Sequence, residues 1–167
     1  IGVFGPTASG KSAVAEAVAD RLGTEVVSAD AMQVYSGLPI LTNQPARPTR
    51  LVSIRELDET MSVGEYEGLA HAVIDELVRA NGVAVVAGGT GLYLRAALTT
   101  LDLPPAPPAG LRSEIERLVD ELGPLGAHAH LAELDARAAA TVHRNDRRRV
   151  VRALELAAMG RSLAPAE

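Results

Sequence analysis

Short apolar, β-branched runs alternate with longer stretches in which apolar residues recur every three or four positions, the pattern of a parallel α/β sheet. The first run, Ile1 to Phe4, ends at Gly5. A helix is predicted from Lys11 to about Leu22, with Ala13, Val14, Ala17, Val18 and Leu22 on its apolar side and Gly23 as its stop. Glu25 to Ser28 reads as a second strand with Asp30 just past its end, and Leu51 to Ile54 as a further short strand. Ser62 and Glu65 have the S-x-x-E form of a capping box and open a helix to about Asn81. Val83 to Ala87 is continuously apolar, as a strand buried on both faces must be. It stops at Gly88-Gly89-Thr90-Gly91, and a helix through Leu98 follows.

The pattern then changes. Leu103 to Pro108 holds four prolines, a stiff extended connector that cannot be helix interior. Everything beyond reads helical: Leu111 to Leu122, a stretch around His128 to Leu134, Asp135 to Val142, and Asp146 to Met159 before Gly160. Three parts are expected: an α/β core over 1–100, a helical segment over 101–145, and a basic helix over 146–167. With three or four strands counted, the sheet is expected to be incomplete within this chain.

Composition narrows the function classes. The chain has 167 residues, 47% of them hydrophobic, enough to bury a core and too many for a disordered chain. No apolar stretch approaches the roughly 20 residues of a membrane span, so no membrane association is expected. Cysteine is absent, which excludes disulfides, thiolate metal sites and cysteine nucleophiles. The chain opens at Ile1, inside an apolar run and without a charged leader, as a trimmed cytoplasmic protein would. Net charge is −5, and four aromatic residues cannot form rows of stacking platforms for single-stranded nucleic acid. Net charge does not describe clustering, however. Arg144 to Arg152 holds five arginines in nine residues.

Gly5-Pro6-Thr7-Ala8-Ser9-Gly10-Lys11-Ser12 fits G-x-x-x-x-G-K-[ST] in every required position. Glycines let successive backbone N–H groups turn toward an anion, and the helix starting at Lys11 aims its positive end there. Lys11, the only lysine in the chain, adds a point charge, and the Ser12 hydroxyl is a ligand for Mg²⁺. Such a loop grips a polyphosphate, whether a phosphoryl donor or a leaving group. Ligands of parallel sheets bind beyond the carboxyl ends of the strands, where Asp30 is the only carboxylate. It can act as a metal ligand, a general base or a cap for the backbone of residues 31–33. Thr90 can hydrogen-bond a substrate or cap a helix. Arg148, Arg149 and Arg152 share one side of the last helix, opposite Val150, Val151 and Leu154, and suit phosphodiester contacts or a solvated basic face. The four histidines lack metal-ligand spacing.

GPTASGKS at Gly5 to Ser12, SADAMQVYSGLPI at Ser28 to Ile40, VAGGTGLYLRAAL at Val86 to Leu98 and HRNDRRRVVRALEL at His143 to Leu156 together resemble the tRNA dimethylallyltransferase (tRNA isopentenyltransferase) family. The likeness runs along essentially the whole chain. It implies a P-loop NTPase-like parallel sheet with flanking helices and an inserted helical tRNA-binding subdomain. Family members are about twice this long, so the chain corresponds to an N-terminal half without the C-terminal core segments. The implied reaction moves a dimethylallyl group from dimethylallyl diphosphate to N6 of the adenosine on the 3′ side of the anticodon. By matched position, Gly5, Pro6, Thr7, Ala8, Ser9, Gly10, Lys11 and Ser12 would hold the diphosphate, with Ser12 on Mg²⁺. Asp30 would be the catalytic base, with Thr7 also in a catalytic position. Asp30, Ala31, Met32, Gln33 and Thr90 would contact the target nucleotide, and Arg112, Arg148, Arg149 and Arg152 would hold the tRNA anticodon stem-loop. A monomer is expected. Ala31 stands where the family usually has Ser, Gln44 replaces a usual Lys, and the loop near Thr49-Arg50 is shortened, departures that bear on substrate geometry. A small-molecule or nucleotide kinase, sharing the loop and using Asp30 to activate a hydroxyl, is the competing reading.

Overall fold

A computed structural model describes residues 1–104 and 106–164. It divides into two compact units, Ile1–Leu103 and Pro104–Glu167. Pro105, inside the predicted proline connector, and residues 165–167, at the end of the predicted basic segment, lie outside the described residues.

The first unit is a three-stranded parallel sheet between helices. The strands are β1 (Gly2–Phe4), β2 (Val26–Ser28) and β3 (Val85–Gly88), in the order β1-β3-β2. Gly2 is in register with Val86 and Phe4 with Gly88 on one side of β3, and Ser28 with Ala87 on the other. The continuously apolar segment is thus the central strand. Val85 packs with α1 (Lys11–Leu22) through Ala15 and Ala19, while Val86 joins the core beneath α2 (Val63–Asn81) and α3 (Gly91–Leu98). Both faces are covered, which is why alternation was lost from the sequence.

Helix ends follow their local chemistry. Ser62 accepts from the Glu65 backbone N–H, and Glu65 accepts from the Ser62 N–H, so both halves of the capping box form. The Ser62 N–H and hydroxyl, both donating to Glu65, hold its carboxyl below the usual carboxylate range. Gly23 ends α1 with φ 64°, a left-handed turn that favours glycine.

Two expectations are corrected. α1 buries Ala15 and Ala19, and of the predicted side only Val18 packs against that cluster: Val14 and Leu22 are exposed. Alanine presents so little bulk that the helix lies close on β3, and the larger Val14 and Leu22 fall outside that contact. The segment from Leu51 to Ile54 is no strand. Leu51 and Ser53 have φ of 63° and 55°, which breaks the extended run, and only isolated bridges join Arg50 to Val27 and Arg55 to Tyr35. Leu51 is nevertheless buried in the core.

The second unit is helical: α4 (Leu111–Leu134), α5 (Ala136–Thr141) and α6 (Arg147–Ala158). α4 breaks at Gly123 (φ 64°, ψ 174°) before Pro124, so two helical stretches abut, matching the two read from the sequence. Ile115, Val119, Ala127 and Leu131 of α4 share one core with Val150, Val151 and Leu154 of α6. Burial of each large apolar side chain there contributes roughly 1.5–3 kcal/mol. α6 therefore belongs to the same cluster as α4 and α5.

Candidate functional site

The loop between β1 and α1 turns sharply. Ala8 has φ 65° and Gly10, at the N-cap of α1, has φ 82°. Ser9 N–H donates to the Pro6 carbonyl at 3.3 Å, while the N–H groups of Ala8, Gly10, Lys11 and Ser12 have no protein acceptor among the described residues. The Lys11 ammonium folds over the same loop and donates to the Pro6 carbonyl at 3.3 Å. Uncommitted donors, a helix N-terminus and one cation thus converge on one spot, an arrangement suited to an anion.

The neighbouring strand ends are drawn tight by glycine. A β-carbon at Gly88 would lie 2.0 Å from the Ala29 carbonyl oxygen, so no other residue permits this approach without a backbone shift. At Gly89 it would meet the Gly5 carbonyl oxygen at 3.3 Å and the Lys11 ammonium at 3.6 Å. Close packing of the three strand ends brings Asp30 beside the loop. Asp30 Oδ1 accepts from Met32 N–H at 2.9 Å, so one oxygen does cap the turn. Oδ2 has no hydrogen-bond partner among the described residues. Thr90 occupies the N-cap of α3 without capping it; its hydroxyl accepts instead from Ala31 N–H at 3.4 Å.

Thr7, Lys11, Asp30, Met32, Gln33 and Thr90 line one open cleft of about 290 Å³, together with the loop 41–43. Ser12 and Asp30 line an adjoining recess with Lys11. Under it, the Tyr66 hydroxyl donates to the Ser28 carbonyl at 2.8 Å, and its ring lies 4.4 Å from that of Tyr93. Burial pushes the Tyr66 phenol well above its ordinary value, so it remains a neutral donor that pins the end of β2.

Gln33 does not simply face the cleft. Its amide oxygen accepts from the Ser28 hydroxyl at 2.8 Å, and its nitrogen donates to the carbonyls of Thr42 and Asn43 at 3.3 and 2.9 Å. Gln44 donates to the Gln33 and Tyr35 carbonyls and accepts from Ser53. These two amides fasten the 41–43 loop as a wall of the cleft. Sequence reasoning missed this wall, because the signal lies in contacts between residues ten positions apart. Ala31 packs against the core, and Met32 is exposed.

The arginines lie in the helical unit. Asp146 caps α6 by accepting from Arg149 N–H at 3.1 Å. Arg147 is bound to Asp120, with its closest contact at 2.8 Å. Arg148 and Arg149 are exposed and have no acidic partner among the described residues. Arg112 and Arg152 both reach Glu155, which is wholly buried. Sequence reasoning missed Glu155, although its position four residues after Val151 puts it toward the apolar side of α6. His71 and His128 are engaged with backbone carbonyls of Ala96, and of Ala139 and Val142, respectively.

In class, this is a parallel α/β protein with a glycine-rich loop, a lysine and a carboxylate at the carboxyl ends of its strands, joined in sequence to a helical unit. The chain belongs to the IPP transferase family, whose model matches residues 33–166; a model of isopentenyl transferase matches residues 2–57. It is 45% identical over 164 residues to the tRNA dimethylallyltransferase of Anaeromyxobacter sp. (strain Fw109-5), covering 95% of this chain and 55% of that protein. It is 44% identical to the tRNA dimethylallyltransferase of Thermobifida fusca (strain YX), covering 93% and 52%. The chain spans about half the length of these curated relatives. Among solved structures, the full-length tRNA isopentenylpyrophosphate transferase of Bacillus halodurans matches with TM-score 0.58 at 35% identity, over 98% of this chain and 56% of that one. A eukaryotic dimethylallyltransferase acting on tRNA matches with TM-score 0.73 at 27% identity, over 93% and 40%. No helix among the described residues is long and apolar enough to cross a membrane.

Proposed function

We propose that this chain carries the diphosphate-binding and base-bearing part of a tRNA dimethylallyltransferase. The observation that carries the reading is the convergence of Lys11, Thr7, Asp30 and Thr90 on one cleft, in a member of a family whose curated relatives bear that name. The Gly5–Ser12 segment acts as a P-loop, with Lys11 and the free loop N–H groups gripping dimethylallyl diphosphate. The N6 amine of the adenosine on the 3′ side of the anticodon attacks C1 of the dimethylallyl group. The C1–O bond breaks, and the diphosphate leaves into the loop. Asp30 Oδ2, its partner-free oxygen, takes the proton from N6. Oδ1 stays on Met32 N–H and fixes the carboxylate's direction. Thr7 and Thr90 line the same cleft and would supply hydroxyls to the reacting groups.

Magnesium suits this donor set. Among the described residues no group of three or more His, Asp or Glu could hold an ion unaided. The Ser12 hydroxyl supplies a hard oxygen donor in the recess beside Lys11, and would hold an ion that keeps most of its waters. When bound, it would offset charge on the leaving diphosphate. The helical unit holds the tRNA anticodon stem-loop through Arg112, Arg148, Arg149 and Arg152. The protein works in the cytoplasm, as a monomer.

Titration of the full chain with dimethylallyl diphosphate and with ATP tests the reading. The prenyl donor is expected to bind in preference, though weakly, and this chain by itself is expected to turn over poorly or not at all, with transfer to tRNA read on the full-length protein. Lys11→Ala should weaken diphosphate binding and leave tRNA affinity nearly unchanged. Preference for ATP with phosphoryl transfer to a small hydroxyl acceptor would favour the kinase instead.

A further inference from the structure

Glu155 lies within the hydrophobic side of α6, fully buried between Leu154 and Leu156. Its Oε2 accepts from Arg152 Nη1 at 3.0 Å. Its Oε1 lies 3.4 Å from Arg112 Nη1 but has no hydrogen bond, and it is the buried side-chain oxygen left without one among the described residues. Arg112 also donates through Nε to Glu116 at 3.2 Å.

As a stabilising device this arrangement is poor. A buried carboxylate must overcome a desolvation penalty of several kcal/mol, and an apolar side chain of similar volume is often as good or better. One unsatisfied oxygen raises that penalty. The arrangement does something else well. It draws the first turn of α4 to α6: Glu155 is hydrogen-bonded to Arg152 and ion-paired with Arg112, whose Nε is bonded to Glu116. The other N–H groups of both arginines remain available: the Arg112 side chain is 58% exposed and that of Arg152 31%. Arg148, one turn before Arg152 on the same side of α6, adds an exposed cation. Arginine forks held in fixed orientation lose less entropy on meeting a phosphate than free ones do.

We propose that Glu155 is a positioning residue that holds Arg112 and Arg152 side by side as a phosphate-binding fork. This deepens the function proposed above and rests on it for the identity of the phosphate, which an RNA backbone or a free diphosphate can equally provide. The proposal has a distinctive sign. By charge alone, removing a carboxylate beside an anion site strengthens anion binding. If Glu155 aligns the arginines, removing it weakens binding.

Glu155→Gln, Arg152→Ala and the double variant of the full chain are compared with the wild type for tRNA affinity across a salt series. Binding of inorganic pyrophosphate and thermal unfolding are measured on the same samples. Glu155→Gln is expected to weaken tRNA binding about tenfold, the scale of a charge-assisted contact, and to reduce the salt slope by about one. In the Arg152→Ala background its effect should shrink to the part that runs through Arg112, so the two changes should be less than additive. A loss confined to pyrophosphate supports the same fork with a free diphosphate as its ligand. If Glu155→Gln does not fold, Glu155→Met, which keeps the length without a charge, carries the test. Unchanged or tighter binding of both ligands by a folded variant, or full additivity with Arg152→Ala, would overturn the proposal. A wild-type chain that binds pyrophosphate but no tRNA would refute the tRNA function while leaving the pyrophosphate comparison to decide the role of Glu155.

Discussion

Asp30 offers the sharpest perturbation, because its two oxygens do different jobs. Oδ1 caps Met32 N–H at 2.9 Å, and Oδ2 is the candidate base. Asp30→Asn keeps an acceptor for the cap and removes basicity; Asp30→Ala removes both. The cap is worth about 1 kcal/mol, so unfolding of the first unit should shift by about that amount in Asp30→Ala and hardly at all in Asp30→Asn. The chemistry should respond otherwise. An exocyclic adenine amine is a weak nucleophile, its lone pair delocalised into the ring, and a positioned base contributes about 10²–10⁴-fold, or roughly 3–5 kcal/mol of barrier. Single-turnover transfer to tRNA should fall by that factor in both variants, with tRNA affinity changed little. Near-full turnover in Asp30→Asn would refute the reasoning: Asp30 would then be a cap, and the proton would go elsewhere, for instance to the departing diphosphate.

Gly88→Ala should destabilise the first unit by about 2–3 kcal/mol, since its new β-carbon meets backbone at 2.0 Å and the end of β2 must move. Thermal unfolding reads this directly, and a wild-type midpoint would mean that the strand ends are not held as described. Arg148→Glu combined with Arg149→Glu should weaken tRNA binding and flatten its salt dependence by about one unit for each phosphate the helix no longer neutralises. An unchanged slope in a folded variant would put those side chains in solvent only.

What could be read from the sequence was whatever depends on neighbours along the chain. The capping box at Ser62 and Glu65 and the stop at Gly23 are local chemistry, and each is where the residues put it; the helix end read at Leu122 falls at the break before Pro124. The cover on both faces of β3 followed from its unbroken apolar run. The errors have a common source. The buried side of α1 is chosen by how closely β3 lies, which favours Ala15 and Ala19 over the larger Val14 and Leu22. The positive φ of Leu51 and Ser53 is set by bridges to β2 and Tyr35, and neither residue type advertises it. In the cleft, the Gly5–Ser12 loop and Asp30 were legible by motif and strand-end position. The use of Gln33 and Gln44 as fasteners was not, since it needs the chain to return over itself.

The same distinction resolves the conflict between a net charge of −5 and the polyanionic partner proposed above. In the first unit acidic residues engage three of the arginines: Asp20 holds Arg47, Glu76 and Glu25 hold Arg50, and Glu65 faces Arg55. Those exposed pairs contribute little stability, but they cancel field locally. On α6 the basic residues are denser. Its start concentrates Arg147, Arg148 and Arg149 within one turn, and Asp120 engages only Arg147. A phosphate approaching this helix meets uncompensated charge within a Debye length of about 8–10 Å, while carboxylates farther off are screened. Net charge sets solubility; where the unpaired arginines stand decides what the surface attracts.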